Sequence, residues 1–188
     1  MPFIAALLNS LVLVLLFFWG LFKTWLGIFI APLFNLEMLW IIIPVWLNWF
    51  FSEFFQEKKG TSLGNAITNG GIMVWVGVDW TRYMVRALSA ELIKFDVITS
   101  LKFLLALLIS GIGIFIVAEG IKKKRFVHFI GRVRETTYLF VMISPIIYGT
   151  VPLSLNVVLA IIIFAPLFYY IIELIDRYTP TPKSYEER

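Results

Sequence analysis

The residues able to do chemistry gather in three places. Glu53 and Glu57 lie four apart, which puts both carboxylates on one face of a helix. Glu119, His128, Glu135, Glu173 and Asp176 border other apolar runs, and an alternating topology brings all of them to the same surface. Carboxylate and imidazole groups can hold a hard divalent cation of the kind used in phosphoryl chemistry on lipid headgroups. Yet no H-E-x-x-H, Asp-rich repeat or paired-His spacing accompanies them. No metal and no cofactor is expected, and a metal site, if one existed, would fall to Glu53 and Glu57.

The second group lies in the polar stretch TSLGNAITNGG. Asn65 and Asn69 share a helix face, with Thr68 beside them, and Gly60, Gly64 and Thr68 form a row of small residues. Gly70, Gly71 and Gly77 add further thin positions. Small residues let another backbone approach, and buried amides bond across helices. Two readings follow: a packing helix built on Gly64, Asn65, Thr68, Asn69 and Gly71, or a polar pathway lined by Asn65, Thr68 and Asn69. Asp79 continues the stripe, with Arg82 and Arg86 three and seven positions beyond it. At an interface Asp79 would form an ordinary ion pair; within hydrocarbon it would mark a functional site.

The third group is Lys122, Lys123, Lys124, Arg125, Arg132 and Arg134, directly after the apolar run LKFLLALLISGIGIFIVAEGI. A basic cluster at the end of a span sets orientation and offers contacts to anionic lipid or phosphate. Phe126, Phe129, Ile130 and Val133 recur at helical spacing, so residues 121–133 read as a short helix in the headgroup plane.

These groups must be positioned by apolar elements. The chain has 188 residues, of which 60% are hydrophobic and 17% aromatic. A soluble domain is about half apolar, so the excess predicts an all-α, polytopic membrane bundle. Six segments emerge: residues 3–22, 36–55, 62–84, 101–121, 137–148 and 153–175. The count falls to five, and one end flips, if 62–84 or 137–148 does not cross. Residues 24–35 read as an interfacial or re-entrant piece, and Pro44, Pro145, Gly149 and Pro166 predict kinks or breaks. Residues 1–178 form one domain, and the polar tail 179–188 is expected to be disordered. The N-terminus lacks a charged n-region and reads as a retained span.

With the basic loop inside, both termini lie in the cytoplasm of a multi-pass cell-membrane protein. The connection 85–96 then lies outside, although Arg86 and Lys94 are in it and Arg82 is close by. There is no Cys, which excludes disulfides and thiolate chemistry. The net charge of +4 sits in a juxtamembrane cluster, so the expected partners are the bilayer, anionic headgroups and other membrane chains, not nucleic acid. The leading expectation is a non-catalytic subunit or scaffold of a membrane complex, homo-oligomeric or with a partner. A small oligomeric channel or transporter is second, and a metal-dependent enzyme on a lipid-linked phosphate third.

Overall fold

Thr136, Tyr138, Ser144 and Tyr148 bring hydroxyls to a helix that is buried on nearly every side. That helix is α6 (Val133–Ile147), and the rest of the structure is arranged round it. The computed structural model describes residues 2–55 and 62–179, and all its regular elements there are helical. In chain order they are α1 (Pro2–Ile30), two single 3-10 turns (Ala31–Leu33 and Leu36–Met38), α2 (Leu39–Phe55), α3 (Leu63–Ser89), α4 (Val97–Ile121), α5 (Val127–Ile130), α6 and α7 (Leu155–Tyr178). Three stretches are long and apolar enough to cross a membrane: Leu7–Leu33, Val97–Ile121 and Leu155–Tyr178. With 17 and 15 residues, α2 and α6 are about 26 and 22 Å long, shorter than a ~30 Å hydrocarbon core.

Several boundaries differ from the sequence reading, each for a physical reason. Lys23 does not end the first helix: it is exposed, and Leu21, Trp25 and Ile28 keep a buried face at helical spacing. Residues 24–35 are therefore the last turns of α1 plus a 3-10 turn, not a re-entrant piece. The α-helix stops before Pro32, which has no backbone N–H to give. Asn35 then accepts from the Glu37 backbone N–H at 3.2 Å and starts the next turn. Side chains of Ser62, Asp96 and Ser154 cap α3, α4 and α7 by accepting from the residue three positions on. The fifth segment starts a turn earlier than residue 137 and is not broken at Pro145, which occupies its last turn. The surface helix expected over 121–133 is a single turn: Val127 and Val133 are buried, while Phe126, Phe129 and Ile130 face outward. Residues 180–188 of the tail lie outside the described residues.

Packing uses two different solutions. Helices α3 and α4 form a hairpin whose contact is made by small residues seven apart. Gly70 on α3 meets Gly113 on α4, Gly77 meets Ala106, and Gly120 of α4 packs on Ile67, while Thr99 continues the same buried seven-residue row on α4. A seven-residue period keeps one seam in register along two helices that wind left-handedly. Here the backbones nearly touch: a β-carbon on Gly113 would lie 2.5 Å from the Gly70 carbonyl oxygen. On the other side of α6 the solution is aromatic. Phe22, Trp25 and Phe29 of α1 stack with Phe164 and Phe168 of α7, with the Phe22–Phe164 ring centroids 5.4 Å apart. From Leu7 to Trp19, by contrast, every residue of α1 is exposed.

The hairpin predicts a sharp contrast between glycines. A side chain at Gly77 would collide with Ser110 Oγ and the Ala106 carbonyl, and backbone cannot move aside. Gly77→Leu is expected to destabilise the fold by about 3 kcal/mol or more. Denaturation in mixed micelles followed by circular dichroism measures it, and a shift under about 0.5 kcal/mol would contradict the hairpin geometry.

Candidate functional site

Two polar clusters lie at opposite ends of α6. At its N-terminal end, Asn69 of α3 is 1% exposed and joins three elements. Its Nδ2 donates to Thr136 Oγ1 at 2.7 Å and to the carbonyl oxygens of Gly131 and Arg132 at 3.2 and 3.4 Å. Its Oδ1 accepts from Asn48 Nδ2 of α2 at 3.3 Å. One turn beyond, Arg134 pairs with Glu53 of α2 and with Glu173 of α7, the latter at 3.2 Å. Asn65 is also buried, and its Nδ2 has no partner. Trp49 Nε1 and Asp176 Oδ1 are likewise buried without a partner.

At the other end, Asp79 is 3% exposed. Its Oδ1 accepts from Arg82 Nη2 at 2.6 Å and Nε at 3.2 Å, and its Oδ2 accepts from Tyr148 at 2.5 Å. The Tyr83 hydroxyl donates to the Tyr148 carbonyl at 2.8 Å, and the two rings stack with centroids 4.1 Å apart. Lys102 of α4 donates to the Ile146 carbonyl at 2.7 Å, and Thr150 to that of Pro145 at 3.0 Å. Gly149, at φ 70°, turns the chain away in the left-handed conformation of a helix C-cap. The carbonyls that a helix end leaves unpaired are thus taken by side chains from α3 and α4. Farther out, Arg86 pairs with Glu37, just before α2.

The two clusters do not join. Between them α3 and α6 pack Met73, Val76, Trp80, Phe140 and Met142, all buried, and the one polar link there is Trp80 Nε1 to Ser144 Oγ at 3.1 Å.

The positions singled out in the sequence divide accordingly. Asn65, Asn69 and Asp79 face the interior, whereas Gly64, Thr68 and Gly71 are exposed on the opposite side of α3. A β-carbon on Gly71 would meet nothing within 4 Å. Gly64, Thr68 and Gly71 therefore do not pack against the chain's described helices; Gly70 and Gly77 do. Of the basic group, Arg134 turns inward, Lys122 pairs with Glu119 at 2.5 Å and Arg132 with Glu135 at 2.9 Å. Lys123, Lys124 and Arg125 face outward. Glu53 is engaged by Arg134, and Glu57 and Gly60 lie outside the described residues. Among the described residues no group of three His, Asp or Glu is placed to hold a metal ion. His128 is half-buried.

Sequence reasoning missed Asn48, Thr136, Tyr138, Ser144 and Tyr148. The signal was available: each is a polar group within or at the end of an apolar run, where it must find a partner. Tyr138 shows the pattern, accepting from Trp25 Nε1 at 3.0 Å and donating to the Ile161 carbonyl at 2.6 Å, so that it links α1 and α7. No protein-family model, curated protein or solved structure matches this chain.

The Glu53–Arg134 pair gives a direct test of the N-terminal cluster. Arg134→Met leaves a buried carboxylate unpaired and is expected to cost roughly 3–5 kcal/mol. Adding Glu53→Gln removes the stranded charge and should restore more than half of the loss. A double variant no more stable than Arg134→Met, in the same unfolding assay, would show that the two side chains are not coupled.

Proposed function

We propose that this chain is a multi-pass integral membrane protein acting as a non-catalytic subunit or scaffold within a larger membrane assembly. The observation that carries this reading is the outward face of α3. There Gly64, Thr68 and Gly71 form a stripe of small residues in open space, at positions i, i+4 and i+7. Small residues facing outward let a helix of another chain approach to backbone contact. The exposed stretch Leu7–Trp19 of α1, largely apolar, adds a second surface that no described helix of this chain covers.

In this reading all six long helices cross, α2 and α6 being shorter than the rest. Both termini and the Lys122–Arg125 segment lie on the cytoplasmic side, where the exposed lysines meet anionic headgroups. The partner is a second copy of this chain or another membrane polypeptide. The polar-pathway alternative draws less support, because Asn69 is fully engaged and apolar side chains separate the two clusters. The enzyme alternative would need Glu53 released from Arg134.

Mass analysis of the intact particle in mild detergent tests the reading. A homo-oligomer or a stoichiometric second polypeptide is expected for the native chain. Gly71→Leu should weaken assembly tenfold or more, about 1.4 kcal/mol, with the fold intact because the new side chain meets nothing in its own chain. A monodisperse single chain that Gly71→Leu leaves unchanged would sink the proposal.

A further inference from the structure

A groove of about 870 Å³ runs between the start of α2 and the second half of α3. Its walls are apolar and aromatic, with Trp40, Ile43 and Trp75 along its length. The Trp40 and Trp75 rings lie 6.1 Å apart across it. Arg82 and Arg86 line the same groove toward the end of α3, accompanied by one carboxylate, Glu37. Trp75 precedes Arg82 by seven residues, so apolar wall and guanidinium are separated by roughly 10 Å along one helix face.

The arginines are held but not used up. Arg82 spends Nε and Nη2 on Asp79, whose other oxygen is fixed by Tyr148. Of the five donors on a guanidinium, three then remain. Arg86 gives one Nη2 contact to Glu37 and is likewise left with donors. Two positioned guanidiniums at the head of an apolar trough match an oxyanion with several acceptor oxygens, such as a phosphate, attached to a hydrocarbon chain. The groove also lies at the end of the bundle remote from Lys122–Arg125, since Glu37 and Glu53 stand before and after the central part of α2. Arg82 and Arg86 are therefore cations on the face where the positive-inside rule does not call for them. Their ion pairs with Asp79 and Glu37 hold them in place there, and the donors left over are free for a ligand.

We infer that this groove binds one anionic phospholipid, its phosphate on Arg82 and Arg86 and one acyl chain along Trp40, Ile43 and Trp75. The site belongs to the leaflet opposite the lysine cluster. The inference rests on the membrane placement proposed above, and does not depend on the assembly role.

The test is lipid retention by the detergent-purified full chain, read by native mass spectrometry after incubation with equimolar phosphatidylglycerol and phosphatidylcholine of identical chains. Wild type should keep one phosphatidylglycerol with about tenfold preference, because the choline cation of the competing lipid would lie beside the two guanidiniums and be repelled. Arg86→Gln should bring the two lipids to near parity, while Lys123→Gln at the far end leaves the preference intact. Trp75→Leu should weaken retention of both lipids and keeps the test decisive if Arg86→Gln proves poorly folded. Equal retention by wild type, an unchanged preference in Arg86→Gln, or displacement of the lipid by inorganic phosphate would each overturn the assignment. Release of the chain from membranes by alkaline carbonate would instead remove the membrane placement itself.

Discussion

Most polar groups that this fold buries find their partners within the protein, and α6 supplies many of those partners. An unpaired buried amide or hydroxyl costs about 1–3 kcal/mol, a large part of the stability of an ordinary domain. On α6, Thr136, Arg134, Tyr138, Ser144 and the terminal carbonyls reach α1, α2, α3, α4 and α7 in turn. The bonds run outward from one short helix, so moving any neighbour along its axis would break at least one of them. Apolar packing alone is tolerant of such sliding; the hydrogen bonds fix the register.

The α3–α4 hairpin depends on the opposite kind of contact. Its seam sets glycines of one helix against the backbone of the other and against the side chains of Ile67, Met73, Val74, Ser110 and Ile116, and gains its stability from that close approach. The difference suits the positions of the two elements. α4 is exposed along most of its outer face and touches mainly α3, whereas α6 has neighbours on all sides. A helix with one partner can use shape alone, while one with five needs directional bonds to distinguish among them. On α3 both solutions coexist: the Gly70–Gly77 row faces α4 and the Asn69–Asp79 row faces α6 and its ends.

Much of this was legible in the sequence, and the rest failed for identifiable reasons. The helical class, the three longest apolar helices and the polar character of α3 follow from composition and run length. The interior placement of Asn65, Asn69 and Asp79 was open to helical spacing as well, since the three lie on one stripe. Spacing alone did not say which small residues face inward: Gly70 and Gly77 pack within the chain, whereas Gly64, Thr68 and Gly71 point outward. The working seam has a period of seven, visible in Thr99, Ala106, Gly113 and Gly120 only when α4 is aligned against α3. Partners such as Glu53 with Arg134 or Asp79 with Tyr148 are dozens of residues apart, and no local pattern announces them. Of the breaks expected around Pro145 and Gly149, the chain makes the one at Gly149, because the last turn of a helix accommodates a proline.

The place of α6 in the chain has a consequence for how the molecule is made. α3 and α4 are consecutive and joined by a short turn, so they can pair as soon as both have been synthesised. The helix that ties all the others together comes next to last, after more than two thirds of the residues. Until it arrives, Asn69 Nδ2, Trp80 Nε1 and Glu53 border a vacant slot without the partners that α6 brings. Biogenesis must therefore keep that slot open and shielded, and the late arrival of α6 converts a loose collection of helices into one cooperative body.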